Sequence, residues 1–262
     1  DPTGNKTYLE PAIAYDPLKR KIFTAGGSTS RFMIWDLANN KNFIDDNIVQ
    51  AGYYESRAFN YNDYFFVICV VPSGTLRDIL DYRTQNLTSS MAVYKYDMWN
   101  TRGYNYYSSI SLPYTITTDS AFIQAGSTGY ILCNNNPVLK VNLSTRSVTS
   151  LSVNTSLVSR ISTATLSTDG TKIYIIPESP EEPIQVFDLA TETFYNTSVT
   201  IPYPTRTKGA ISGAIGGRLY YGLGTIDAGN NLTGKSDFFS ITENSLVQQE
   251  AEPVIEEVTV TG

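Results

Sequence analysis

Residues 21–45, KIFTAGGSTSRFMIWDLANNKNFID, return in altered form at residues 172–196 as KIYIIPESPEEPIQVFDLATETFYN. Internal repetition constrains a chain more than composition does, because each copy must be the same small unit and must bury its apolar face on its neighbours. The shared end of the two stretches is an aromatic residue, Asp, Leu, a polar turn and another aromatic. Looser copies occur at Tyr96-Asp97-Met98, Val141-Asn142-Leu143 and Phe239-Ser240-Ile241. The marker positions Asp36, Asp97, Asn142, Asp188 and Ser240 are therefore spaced by 61, 45, 46 and 52 residues. Five units run through the chain.

Each unit has the same internal order: an apolar stretch, a turn, a strand, a loop of variable length, the marker strand, a tight turn and a last strand. The strands before the loop are KIFTAGG, YFFVICVV, GYILCN, KIYIIPE and RLYYGLG, preceded by EPAIAYD, RAFNYN, SAFIQAG, STATLSTD and GAISGAIGG. Asp169-Gly170, YNDY at residues 61–64 and Gly216-Gly217 carry the turn chemistry of hairpins. Four short antiparallel strands repeated every 40–50 residues or so predict an all-β fold, a β-propeller of about five four-stranded blades. The units lie at about 9–48, 55–112, 119–151, 160–200 and 208–250, with residues 251–262 as a C-terminal tail. The marker side chains Asp36, Asp97, Asn142, Asp188 and Ser240 are expected to cap the turn between third and fourth strands by accepting backbone N–H bonds.

Gly26-Gly27 after an apolar strand, followed by Trp35-Asp36-Leu37, resembles the kelch and galactose-oxidase-type propellers more than the WD type. The likeness covers roughly residues 9–250. The double glycine is absent from the later units, where CVVPSG, LCNNN, IIPES and YGLG stand instead. The resemblance implies an architecture and no more: the copper site of galactose oxidase uses histidines, and this chain has none.

The absence of His removes the commonest general base and metal ligand, and with it a Ser-His-Asp triad. No cofactor and no metal-type spacing is read from the sequence. Ser167-Thr168-Asp169-Gly170-Thr171 has a faint likeness to a sialidase Asp-box, but its spacing favours a hairpin turn. Paired carboxylates could serve a glycosidase, and the candidates are Asp45-Asp46, Asp78, Asp81, Glu178, Glu181 and Glu182. Glu181-Glu182 sits in PESPEEP, which reads as a solvated turn. Tyr53-Tyr54, YNYY at residues 104–107 and Tyr220-Tyr221 could stack on sugar rings, although alternating aromatics in strands are ordinary packing. The second unit carries a long insertion, SGTLRDILDYRTQNLTSS, with helical spacing over residues 76–82. It reads as a packed insertion, or as one that caps the propeller face or touches a partner.

A net charge of −6 and a pI near 4.8 argue against nucleic acid or an anionic membrane surface as partner. The longest apolar run, residues 65–71, is far short of a membrane span. A chain opening at Asp1 without an initiator Met is expected to be either a processed mature chain, which implies secretion to the extracellular space, or a piece of something longer. Sequons at Asn5, Asn86, Asn142, Asn154, Asn196 and Asn231 are expected at turns and loops, where glycans would stand in solvent. Cys69 and Cys133 each close an apolar run. They read as two buried thiols, with a disulfide between neighbouring units as the alternative.

The five units are complete by about residue 250, yet VIEEVTVT follows Glu252-Pro253 and reads as one further strand. That assembly strand, with Val254, Ile255, Val258 and Val260 as its apolar positions, either closes the propeller or joins a neighbour's sheet edge. Head-to-tail donation that does not close makes filaments. The expected function is a non-enzymatic extracellular structural or adhesive glycoprotein. Its partners are other copies of itself or another extracellular protein or glycan, with no membrane insertion. The alternative is a secreted glycan-binding module or carbohydrate-active enzyme.

Overall fold

The computed structural model of the chain describes residues 12–16, 19–25, 32–45, 56–62, 64–69, 90–96, 104–117, 120–202, 207–208, 210–222, 225–228, 231–234 and 238–249. The all-β expectation agrees with it: strands and turns make up nearly all of these residues, with one short 3-10 helix at Glu243–Ser245. Sheet one contains β1 (Ala12–Asp16), β2 (Lys21–Ala25), β3 (Phe32–Asp36) and β4 (Lys41–Asp45). Sheet two contains β5 (Ser56–Tyr61), β6 (Tyr64–Cys69), β7 (Ser90–Tyr96) and β8 (Tyr104–Ser111). Sheet three contains β9 (Ser120–Ala125), β10 (Thr128–Cys133), β11 (Pro137–Asn142) and β12 (Ser147–Asn154). Sheet four contains β13 (Ile161–Leu166), β14 (Lys172–Pro177), β15 (Pro183–Asp188) and β16 (Thr193–Thr200). In all four the strands pair antiparallel in chain order.

Among the described residues, the last part of the chain departs from the expected four strands. A three-stranded sheet five is formed by β18 (Ile211–Ile215), β19 (Arg218–Gly222) and β22 (Phe238–Thr242). Separately, β17 (Thr207–Lys208), β20 (Thr225–Ala228) and β21 (Asn231–Gly234) pair in the same inner, middle, outer order. A fourth strand does not follow directly because the backbone past Thr242 takes another route. It enters the 3-10 helix and buries Leu246 among Tyr174, Ile184, Leu219 and Tyr221. Gln249 then donates its N–H to the Asn196 carbonyl on β16 at 2.9 Å.

The middle strands are apolar without alternation because both of their faces are covered. In β14, Ile173 and Ile175 face a core shared with sheet three, while Tyr174 and Ile176 face one shared with sheet five. A third core joins sheets two and three through Phe59, Phe66, Ile131 and Leu139. Phe23 and Phe65 meet between sheets one and two with ring centroids 5.8 Å apart.

The first strands of successive sheets lie side by side, β1 to β5 to β9 to β13 to β18. Polar groups lock this row. The Asn60 N–H donates to Gln124 Oε1 at 3.0 Å and Gln124 Nε2 donates back to the Asn60 carbonyl; the Thr163 and Ser212 hydroxyls bond at 2.9 Å. Among the described residues the row does not return from β18 to β1. Its two ends expose Ile13 and Tyr15 on β1, and Ile211 and Ile215 on β18.

Candidate functional site

Three of the repeat markers, Asp36, Asn142 and Asp188, fall where third strands turn into fourth strands. Asp36 Oδ1 accepts the N–H groups of Ala38 and Asn39, both at 3.1 Å, and its Oδ2 accepts Asn39 Nδ2. Asp188 Oδ1 accepts Ala190 N–H, Thr191 N–H and the Thr191 hydroxyl at 2.9–3.1 Å. Asn142 Oδ1 accepts Ser144 and Thr145 N–H groups in the same way. Four residues after each marker, Asn40, Arg146 and Glu192 take φ of 50°, 63° and 55°, which completes the turn in the left-handed region. Donation to the charged form depresses both carboxyls. The Asn39 amide is the largest cause for Asp36, and the Thr191 N–H is the largest for Asp188. These groups are spent on the backbone; they hold turns.

Ser240 does not cap a turn. It lies within β22 opposite Tyr220, and its hydroxyl accepts from Arg218 at 2.6 Å. The residue after each true marker donates its N–H to the carbonyl just before the second strand: Leu37 to Arg20, Leu143 to Ser127 and Leu189 to Thr171. In sheet five this donor is Glu243, bonded to Gly217 at 2.9 Å, so the equivalent position is Thr242. Slipping a strand by two residues leaves its faces in phase, which is why the apolar pattern alone misplaced it. The polar run Thr242-Glu243-Asn244-Ser245 is the signal that marks the strand end. Asp97 lies outside the described residues.

The first turn of sheet four is a hairpin turn, as the spacing of its Asp-box-like run favours. Ser167 Oγ accepts the N–H groups of Thr171 and Lys172 and donates to Asp169 Oδ1 at 2.6 Å, while Gly170 takes φ of 72°. The Ser167 hydroxyl is the main cause that brings the Asp169 carboxyl down to about 2.

At the opposite end of the sheets, the Glu182 carboxylate is bound into a polar frame. Glu182 accepts Val158 N–H at 2.6 Å and Ser159 N–H at 2.8 Å, pinning the loop that joins sheets three and four. From the other side, buried Asn134 donates to the Leu157 and Ser159 carbonyls and accepts the Thr155 hydroxyl at 2.6 Å. Glu178 is 6 % exposed, with its backbone N–H on the Arg160 carbonyl. Among the described residues no three His, Cys, Asp or Glu side chains gather as a metal site, and no helix is long and apolar enough to cross a membrane. Asp46, Asp78, Asp81, Tyr53, Tyr54 and residues 76–82 lie outside the described residues, and the side chains of Asp45 and residues 104–107 are not described.

The aromatic pair Tyr220-Tyr221 is divided between two faces. Tyr221 is buried in the core, whereas Tyr220 stacks on the half-exposed Phe238 at 6.1 Å. Cys133 is a free buried thiol, 3.6 Å from the Thr117 hydroxyl; of Cys69 only the backbone is described. Of the sequons, Asn142 stands exposed at a turn, and Asn154 and Asn196 are exposed on the outermost strands β12 and β16. Asn231 opens β21, and Asn5 and Asn86 lie outside the described residues. The frame residues Gln124, Asn134 and Glu182 belong to no local motif, because their partners are 64, 21–25 and 23–24 positions away.

No family model matches the chain, and no curated protein matches it in sequence. Among solved structures, that of YjhT is similar in fold, with a TM-score of 0.63 at 10% sequence identity over 94% of this chain and 85% of that one. With successive antiparallel sheets stacked through their first strands, this chain is β-propeller-like.

Proposed function

We propose that the chain is a non-enzymatic, extracellular structural or adhesive glycoprotein, a propeller of five blades that assembles head-to-tail through its C-terminal strand. The carrying observation is that sheet five stops at its third described strand, β22, where sheets one to four each have a fourth. A sheet edge offers a row of backbone donors and acceptors to an added strand, and residues 254–261 have a strand's alternation. The capping roles of Asp36, Asp169, Asp188 and Glu182 further support a scaffold over an enzyme. The exposed sequons at Asn142, Asn154 and Asn196 suit a glycoprotein surface.

Light scattering on the chain with and without residues 252–262 tests the reading. Assemblies from the intact chain and a monomer after truncation are expected. Monomers from both would refute it.

A further inference from the structure

Two of the exposed sequons meet on one buried side chain. Gln185 in β15 is 2% exposed, and its Nε2 donates to Ser156 Oγ at 2.9 Å and to Asn196 Oδ1 at 3.1 Å. Ser156 closes the sequon Asn154-Thr155-Ser156 just beyond β12, and Asn196 opens the sequon Asn196-Thr197-Ser198 within β16. Sites remote in the chain and rooted on different sheets thus stand within two hydrogen bonds of each other.

Both sequons are presented in the same way. Burial alternates through them, so that the Asn and the hydroxyl residue two positions on stand out together while the residue between turns in. Asn154, Ser156, Asn196 and Ser198 are exposed, whereas Thr155 and Thr197 are buried. The inward hydroxyls anchor the backbone: Thr155 donates to Asn134 Oδ1 at 2.6 Å and Thr197 to the Ile184 carbonyl at 2.9 Å. The Asn196 carboxamide is aimed as well. Its Oδ1 takes the Gln185 hydrogen, and a half-turn of that amide would bring two N–H donors face to face. The Asn196 Nδ2, the atom to which a sugar is joined, therefore points away from Gln185.

We propose that Asn154 and Asn196 carry N-linked oligosaccharides that stand side by side as one carbohydrate patch across the seam between sheets three and four. The inference rests on the glycoprotein reading and names the two sequons that act together. At each, Nδ2 bonds to the anomeric carbon of an oligosaccharide held on a lipid pyrophosphate; the pyrophosphate leaves with the bonding pair and the amide gives up one proton. Two such bulky groups rooted this close shield each other from the enzymes that trim and extend them. Asn142 is the isolated site, because its pairing with Ser147 sets it at the other end of β12 from Asn154, roughly 20 Å away at the rise of an extended strand.

Site-by-site mass spectrometry of glycopeptides from the full chain secreted by mammalian cells tests the patch. The parent should carry untrimmed oligomannose chains at Asn154 and Asn196. Ser198→Ala removes the Asn196 sugar while keeping the bond to Gln185, and the chain left at Asn154 should then be trimmed and extended. Asn154→Gln should do the same for the chain at Asn196. Both substitutions are at exposed positions, so the fold is kept. Asn142→Asp should alter neither site. Sugar at both sites with neither changed by loss of the other would overturn the patch, and so would a bare Asn154 or Asn196 beside an occupied Asn142. Carbohydrate at no site at all would remove the glycoprotein reading itself.

Discussion

Gly129 in β10 is a point of close approach between two sheets. A Cβ built there would lie 2.7 Å from both Cε2 and Cζ of Phe59, where ordinary contact is 3.4–4 Å. Phe59 has little room to retreat: it is 1% exposed and stacked on Phe122 with centroids 4.9 Å apart. In Gly129→Ala the ring must shift by the better part of an ångström or the sheets must part, an overpacking cost of about 1–3 kcal/mol. Alanine recovers about 0.5–1 kcal/mol through lower backbone entropy in the unfolded chain. The net loss of about 1–2 kcal/mol corresponds to a fall in Tm of about 2–8 °C at this chain length. Urea unfolding of Gly129→Ala, Phe59→Leu and the double variant measures it, since shrinking the ring makes room for the methyl. The double variant should be more stable than the sum of the singles predicts, by about 1 kcal/mol. Gly129→Ala as stable as the parent, or strict additivity, would refute the close-approach argument.

Acid should loosen the turns. Asp169 is held at about 2, and Asp36 and Asp188 are also depressed, so between their ordinary value of 3.8 and those lower values the unfolded chain binds more protons than the folded one. Their contribution is complete above about pH 4 and disappears as pH falls through the folded values. Melting temperatures from pH 5 to pH 2 should decline, and Asp169→Asn should flatten the decline; an unchanged slope would count against the linkage. At Asn142, glycan and turn cap can be separated in chain secreted from eukaryotic cells. Asn142→Asp should remove one glycan by mass spectrometry while keeping the parent's stability, because the carboxylate still accepts from Ser144 and Thr145. Asn142→Ala should lose the glycan and about 1 kcal/mol of turn hydrogen bonding; equal stability of the two variants would sink the capping role.

The features legible in the sequence are those whose chemistry is local. Asp36, Asn142 and Asp188 announce turns because a short acceptor reaches N–H groups two and three residues on, so marker and partner travel together in the chain. Gly216 and Gly217 announce a hairpin because both need positive φ, and they take 60° and 74°. Runs such as IYIIP at residues 173–177 show burial on two faces, since every position is apolar. From these alone come the all-β class and the succession of repeated antiparallel strands.

Only the tertiary structure decided features that depend on residues far apart. Ser240 and Thr242 differ by one full strand period, so both satisfy the apolar pattern, and the pairing of Thr242 with Arg218 and the Glu243 to Gly217 bond separate them. Among the described residues sheet five ends at β22, and Leu246 is buried between sheets four and five against residues remote in sequence, a placement that leaves no mark on its neighbours in the chain. Asn60 with Gln124, and Gly129 with Phe59, lie 64 and 70 positions apart in sequence and meet only once two sheets have stacked. Periodicity and turn chemistry are properties of a segment, whereas sheet registration and edge completion are properties of the assembled stack.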